Sequence, residues 1–189
     1  MAATLKGHLL VATPALGDPN FERTVILVLE HNDEGALGVV LNRPSESDFV
    51  DPLPDWYGFA AYPPVVFVGG PVSRQSAIGL ARAAFGTASP RAAAEGWVPV
   101  LDTIGTVDLT MRPEDVDAEI QEVRVFAGYA GWGEQQLEEE IESGAWFVVP
   151  AEPDDALSTH PEGLWRRVLR RQPGRLALFA NYPPDCALN

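Results

Sequence analysis

RVFAGYAGWGEQQLEEEIESGAWFVVP, residues 124–150, decides how the rest of the chain is read. The β-branched and aromatic run Val123 to Phe126 predicts a strand. Gly128, Gly131 and Gly133 predict a glycine-dense turn after it. A short acidic helix follows, then Gly144, then a second apolar run, Trp146 to Val149, stopped by Pro150. Strand, turn, helix and strand in that order suit a buried parallel or mixed sheet.

A glycine loop between a strand and a helix is also where phosphates bind, on backbone N–H groups at the helix N-terminus. Here no Lys, Ser or Thr follows the glycines, and the first helical turns carry Glu134, Glu138, Glu139 and Glu140. These carboxylates complement the helix dipole and repel a phosphate. The glycines are therefore read as allowing tight turns and close backbone packing. On the helix, Leu137 and Ile141 form the buried stripe. At about 100° per residue, Glu134 and Glu140 border it, and Glu138, Glu139 and Glu142 face solvent. Glu140 is the carboxylate expected to be partly buried, in a structural ion pair more than in catalysis.

Working outward, Gly7 to Ala12 predicts a first strand. Asp18-Pro19 predicts an N-cap with proline at the first helical position, opening one helical turn over Pro19 to Phe21. Thr24 to Glu30 (TVILVLE) is continuously apolar up to its last residue and predicts a strand buried on both faces. The cluster Asn32 to Gly35 turns it into a hairpin partner, Ala36 to Leu41, which Arg43-Pro44 closes. Residues 45–64 hold Pro52, Pro54, Pro63 and Pro64 and predict a mobile loop with a short helix near Trp56. Val65 to Val68 is a short strand before a tight turn at Gly69-Gly70-Pro71. Gln75 to Ala83 leans to strand, and residues 85–96 predict a small-residue loop. Trp97 to Leu101 and Thr106 to Leu109 predict strands around a turn at Gly105. Pro113 to Ile120 predicts a short helix, Asp154 to Leu157 a helical turn, and Pro161 to Arg171 a helix ended by Pro173-Gly174. That helix buries Leu164, Trp165, Val168 and Leu169. Arg175 to Phe179 predicts a last strand before a proline-rich tail. With no repeat or linker, residues 1–189 read as a single domain.

Composition narrows the function classes. The chain has 189 residues, 46% hydrophobic and 21% charged, as globular proteins do. No run reaches the roughly 20 apolar residues of a membrane span, and the N-terminus lacks the pattern of a signal peptide. Cytoplasmic location is the expectation, with no membrane partner. The single cysteine, Cys186, cannot form an internal disulfide. The formal net charge of −14 repels nucleic acid. Five of the twelve arginines fall between Arg166 and Arg175, so one short segment is locally basic. No groove-reading motif accompanies it, and direct DNA binding is not expected; those arginines are read as paired or solvated.

The three histidines, His8, His31 and His160, are isolated, with no HxH or HExxH spacing, so no metal site is expected. No GxSxG elbow is present, and Cys186 has no activating partner in sequence. Glu30-His31-Asn32 stands where an apolar strand meets a turn, and only one of Glu30 and His31 can take a given face. As a catalytic element, His31 would be a general base oriented by Asp18 or Glu140. As a structural element, His31 and Asn32 would bond the turn backbone, and this reading is favoured.

The stretch GHLLVATPALGDPNFERTVILVLEHNDEGALGVVLNRP, the run VFVGGPV, the segment RVFAGYAGWGEQQLEEEIESGAWFVVPA and the Leu164-Trp165 helix together resemble the YqgE/AlgH family, in its order and over most of the chain. Residues 45–64, where the family varies, and Cys186 depart from it. The resemblance implies an α/β fold: a mixed, bifurcated β-sheet curled into a pseudo-barrel with flanking short helices. Family members are commonly labelled uncharacterised, or transcriptional regulators by association with an alginate-related protein. No activity, cofactor or catalytic residue comes with the resemblance. Its repeated polar and aromatic positions here are Asp18, Arg23, Glu30, His31, Asn32, Asn42, Tyr129, Trp132, Gln136 and Glu140, with Gly69, Gly70 and Leu137. These are the candidate binding residues if they gather on one surface. The leading expectation is a non-enzymatic binding or regulatory protein taking a small molecule or a protein partner. The alternatives are an enzyme, such as a hydrolase, using His31 with Asp18 or Glu140, and a transcriptional regulator.

Overall fold

The computed structural model describes residues 4–84 and 89–183. Along the chain run β1 (His8–Ala12), β2 (Val25–Asn32), β3 (Gly35–Val40), α1 (Pro54–Tyr57), β4 (Phe67–Val68), β5 (Val72–Ala83), β6 (Trp97–Leu101) and β7 (Ile104–Val107). Then come β8 (Ile120–Trp132), α2 (Gln136–Glu142), β9 (Trp146–Pro150), α3 (Pro153–Ala156), α4 (Leu164–Arg170) and α5 (Leu176–Phe179). Among the described residues the strands form one curled sheet in the order β6-β7-β5-β8-β3-β2-β1-β9. These neighbours are antiparallel, and β4 adds a parallel pairing to β8, which makes the sheet mixed. The fork lies at β8: Ile120 to Tyr129 pair with β5, and Ala130 to Trp132 pair with β3.

Period-two alternation sorts the core. Leu9, Val11, Leu27, Val39, Leu80 and Phe126 point into the concave side, where Leu164, Trp165 and Val168 of α4 fill the curl. The residues between them, Leu10, Ile26 and Val28, point the other way and are covered with Trp132 and Trp146 by Leu137 of α2. β2 is thus buried on both faces from Val25 to Leu29, as its apolar run requires. A third cluster packs Phe49, Trp56, Trp97, Val123 and Val125 on the outside of the other half-sheet. The 45–64 segment, expected to be a mobile loop, is therefore tied down: Phe49 and Trp56 are each 1% exposed, and the Trp56 indole donates to the Met111 carbonyl at 2.9 Å.

Other expectations need correction. The predicted turn at Gly128 and Gly131 is strand, because β8 runs on to Trp132 and the chain turns only after Gly133. The reason is a crossing of backbones. Gly70 passes so close to Tyr129 that a Cβ there would sit 2.1 Å from the Tyr129 carbonyl carbon. Gly128, with φ +73, would put its Cβ 2.6 Å from the Gly70 oxygen. Two signature stretches thus meet main chain to main chain, which only glycine permits. Gly105 lies within β7, and the turn falls instead around Asp102, in the left-handed region at φ 51. The helix expected over Pro113 to Ile120 shrinks to a 3-10 turn at Pro113–Asp115, since Ile120 already joins the sheet. Pro19 to Phe21 form turns rather than a helix. Arg175 to Phe179, expected as a strand, holds the helix α5 from Leu176; its Leu-Ala-Leu sequence favours helix, and Phe179 packs on Phe147.

Candidate functional site

The candidate residues divide between the two ends of β2. At its start, the segment Asp18 to Arg23 forms a loop held from inside and outside. The Asp18 carboxylate accepts the Asn20 N–H at 2.9 Å. Arg23 is left-handed at φ 53, which costs a residue with a side chain on the order of 1 kcal/mol or more. Asn42 brackets it: its amide donates to the Arg23 carbonyl at 2.8 Å, and its oxygen accepts the Val25 N–H at 3.0 Å. The Arg43 guanidinium donates to the carbonyls of Asn20 and Glu22. Burial pulls the Arg43 pKa down, while Glu22 and Asp18 push it back.

This braced loop walls a cavity of about 260 Å³ lined by Ala12, Leu16, Asp18, Arg23, Trp165 and Tyr182 among others. Trp165 is its floor, 3% exposed and fixed by donation from its indole N–H to the Ala12 carbonyl at 2.9 Å. The Arg23 guanidinium lies 4.5 Å from the centre of the Trp165 ring and donates to the Tyr182 carbonyl. The arrangement offers an apolar floor, a stacked cation and exposed carboxylates on the rim. It presents hydrogen-bonding groups to a ligand but no histidine, cysteine or serine nucleophile among its lining residues.

At the other end of β2, His31, Trp132, Gln136 and Glu140 gather under α2, and Glu30 does not join them. His31, Ala36 and Trp132 form one cross-strand row. Glu30 takes the opposite face and borders a separate apolar hollow with Leu29, Leu37 and Val100. Asn32 accepts the Glu34 N–H at 2.8 Å and shapes the hairpin turn. Tyr129 is half-buried against the concave core.

His31 is oriented by neither Asp18 nor Glu140. Its Nδ1 accepts the Leu5 N–H at 3.0 Å, so in the neutral ring Nε2 carries the proton and donates to Glu138 at 2.8 Å. With a side chain only 7% exposed and both nitrogens engaged, the ring ties the N-terminal segment to α2. Glu138, read as solvated from the helical wheel, is its partner, because α2, packed on β9 and β3, brings that carboxylate to the end of β2. Glu140 instead accepts two indole N–H groups on one oxygen, from Trp132 at 2.9 Å and Trp146 at 2.8 Å. Its other oxygen accepts from Gln136 at 3.0 Å. Glu140 is thus half-buried as expected, but its partners are indoles rather than a cation.

Sequence reading missed Arg124. It sits 1% exposed in the middle of β8, donating to the Ser158 carbonyl at 3.0 Å and the Tyr62 carbonyl at 2.6 Å. Its guanidinium lies 4.2 Å from the Phe67 ring centre. Burial lowers its pKa to about 10, with Glu122 opposing. The available signal was a cation inside an apolar strand run. A polar cleft of about 630 Å³ also went unforeseen; two of its three lining arginines are tied to carboxylates, Arg82 to Glu122 and Asp154, and Arg171 to Asp155, while Arg167 donates to the Ser158 hydroxyl. Among the described residues no three His, Cys, Asp or Glu side chains converge as metal ligands. Cys186 lies outside the described residues.

A curled mixed sheet plugged by a short helix, with a braced-loop cavity at one end of its central strand and a carboxylate-tied tryptophan pair at the other, defines a class of α/β protein. The chain belongs to the AlgH-like family, whose model matches residues 9–177. It is 55% identical over 187 residues to a UPF0301 protein of Streptomyces coelicolor, covering 99% of this chain and 96% of that one. It is 46% identical over 183 residues to a UPF0301 protein of Mycobacterium tuberculosis, covering 97% and 90%. Among solved structures, it resembles protein DIP2367 from Corynebacterium diphtheriae at TM-score 0.87 and 33% identity, covering 95% and 93%. It also resembles the AlgH protein from Pseudomonas aeruginosa at TM-score 0.68 and 26% identity, covering 97% and 96%.

Proposed function

We propose that the chain is a cytoplasmic, non-enzymatic binding protein that works as one domain, and that its ligand enters the cavity above Trp165. The observation that carries this is the convergence of Asp18, Arg23 and Asn42 on one braced loop around that cavity. The loop holds Arg23 in a strained backbone state, a cost that suits a residue positioned for recognition. The volume fits a compact, partly apolar molecule or the end of a protein segment. The remaining polar candidates support the same reading from the other side: His31, Glu140 and Gln136 spend their hydrogen bonds within the fold. No helix is long and apolar enough to cross a membrane among the described residues.

The test is native mass spectrometry of protein purified from its own host, wild type beside Arg23→Glu. Trp165→Ala is unsuitable, since losing a buried tryptophan unfolds as well as unblocks. A bound mass carried by wild type and absent from Arg23→Glu is expected. Wild-type protein that carries no mass, or a variant that carries it undiminished, refutes the proposal.

A further inference from the structure

Net charge −14 makes any patch of unpaired cations on this surface conspicuous. α4 carries one. Its apolar side is fully committed: Leu164, Trp165, Val168 and Leu169 are all 3% exposed or less. Its other side presents Arg166, Arg167, Arg170 and Arg171, which with Gly163 line a shallow concavity of about 580 Å³ without a single carboxylate. Arg171 is tied to Asp155 and Glu152, and Arg167 donates to the Ser158 hydroxyl. Arg166 and Arg170 are exposed and make no ion pair or hydrogen bond among the described residues. Four residues apart, they stand one turn above another, about 6 Å between their Cβ atoms. The two engaged arginines flank them and hold the row in place.

We propose that this face of α4 docks an acidic, carboxylate-bearing segment of a protein partner. Arginine forks match carboxylates in pairs, and two forks one turn apart match acids spaced along an extended or helical segment. Competing occupants fit less well. A small anion would stay largely in water, since one helix face supplies the whole lining and a small ligand is held by burial. A lipid surface needs apolar side chains beside the cations, and those of α4 point into the core. A duplex would extend far beyond a seven-residue helix and set its phosphates against Glu152, Asp154 and Glu122 of the adjoining cleft. The docking face is separate from the cavity above Trp165, and neither proposal depends on the other.

The probe is a fluorescein-labelled twelve-residue peptide of alternating glutamate and glycine, read by anisotropy against full-length protein. Arg74 supplies the control, being another exposed arginine without a partner, on β5. Binding that weakens about tenfold between 50 and 300 mM NaCl is expected, as for contacts between charges near a surface. Arg166→Glu with Arg170→Glu should lower the affinity at least tenfold, with unchanged far-ultraviolet circular dichroism, and Arg74→Glu should leave it within twofold. No binding of the peptide at 50 mM NaCl, an equal loss in the Arg74→Glu control, or tighter binding of a 20-base-pair duplex than of the peptide each overturns the proposal.

Discussion

Glu140 holds two buried indoles at once, and removing it strands both. In Glu140→Ala the N–H groups of Trp132 and Trp146 lose their acceptor while the rings stay in a layer where they are 7% and 3% exposed. Both then lose their protein acceptor, and the water that reaches the partly solvated carboxylate replaces it only in part. A hydrogen bond to a charged acceptor contributes about 1.5–3 kcal/mol, so two of them, at a carboxylate that is partly solvated, give a loss of about 2–4 kcal/mol. The edge-on contact of the two rings, 6.1 Å between centroids, depends on the same anchor. Glu140→Gln keeps one oxygen able to accept both N–H groups and should cost only about 1 kcal/mol. Trp132→Ala should cost about 3 kcal/mol or more, as a core truncation does. Urea titration with far-ultraviolet circular dichroism reads all three. With a slope of about 2 kcal/mol per molar, mid-range for urea, Glu140→Ala should move the midpoint down by roughly 1–2 M. A Glu140→Ala midpoint indistinguishable from wild type at unchanged slope would falsify the reasoning, because the indoles would then have found another acceptor.

Trp165→Ala should lose about 3–5 kcal/mol in the same titration, combining its burial in the concave core with the bond to Ala12; a loss under 1 kcal/mol would mean the floor of the cavity is not part of the core. Glu138 gives the fold part of its pH dependence. Its own backbone N–H, and then His31, hold its carboxyl below the ordinary 4.5, so it stabilises the fold above that pH and loses the contribution as pH falls through the lower, folded value. Glu138→Gln should therefore flatten stability against pH on the acid side of about 4.5. The change should stay under about 0.5 kcal/mol because the side chain is 43% exposed, and a steeper acid limb in the variant would reverse the sign argued here.

Much of this fold was legible because apolar runs and punctuation agreed. TVILVLE could only be a strand buried on both faces, and Leu164, Trp165, Val168 and Leu169 could only be one face of a helix. The failures share a cause: long-range contacts overrode local signals. Gly128 and Gly131 look like a turn in isolation; the approach of Gly70, distant in sequence, keeps the first in a strand, and pairing with Leu37 of β3 keeps the second there. Residues 45–64 look like loose loop until Met111 and the outer half-sheet supply a seat for Trp56. At the candidate site, the family resemblance named residues but not their grouping. Asp18 belongs to the loop before β2 and His31 to its far end, and β2 itself spans roughly 20 Å from Val25 to His31 by strand rise. The helical wheel ranked Glu138 as solvated because it knows the helix's own apolar stripe, not which strand its border meets.

The crossing of Gly69 and Gly70 over Gly128 has a consequence for the speed of folding. Early collapse is driven by apolar side chains, and at this contact only the Phe126 Cβ, beside Gly69, is one; it joins distant parts of the chain mainly through peptide groups. Loop-closure entropy must be met before any reward arrives. The junction is therefore expected to form late, after β5 and β8 have been brought together by Leu80 and Phe126. What forms late is intact in the native state and absent at the barrier, so disturbance there shows in the unfolding limb of a chevron more than in the folding limb. The two signature glycine stretches thus act as a latch on the finished molecule: they do little to guide the chain to its fold, and much to set how long it stays there.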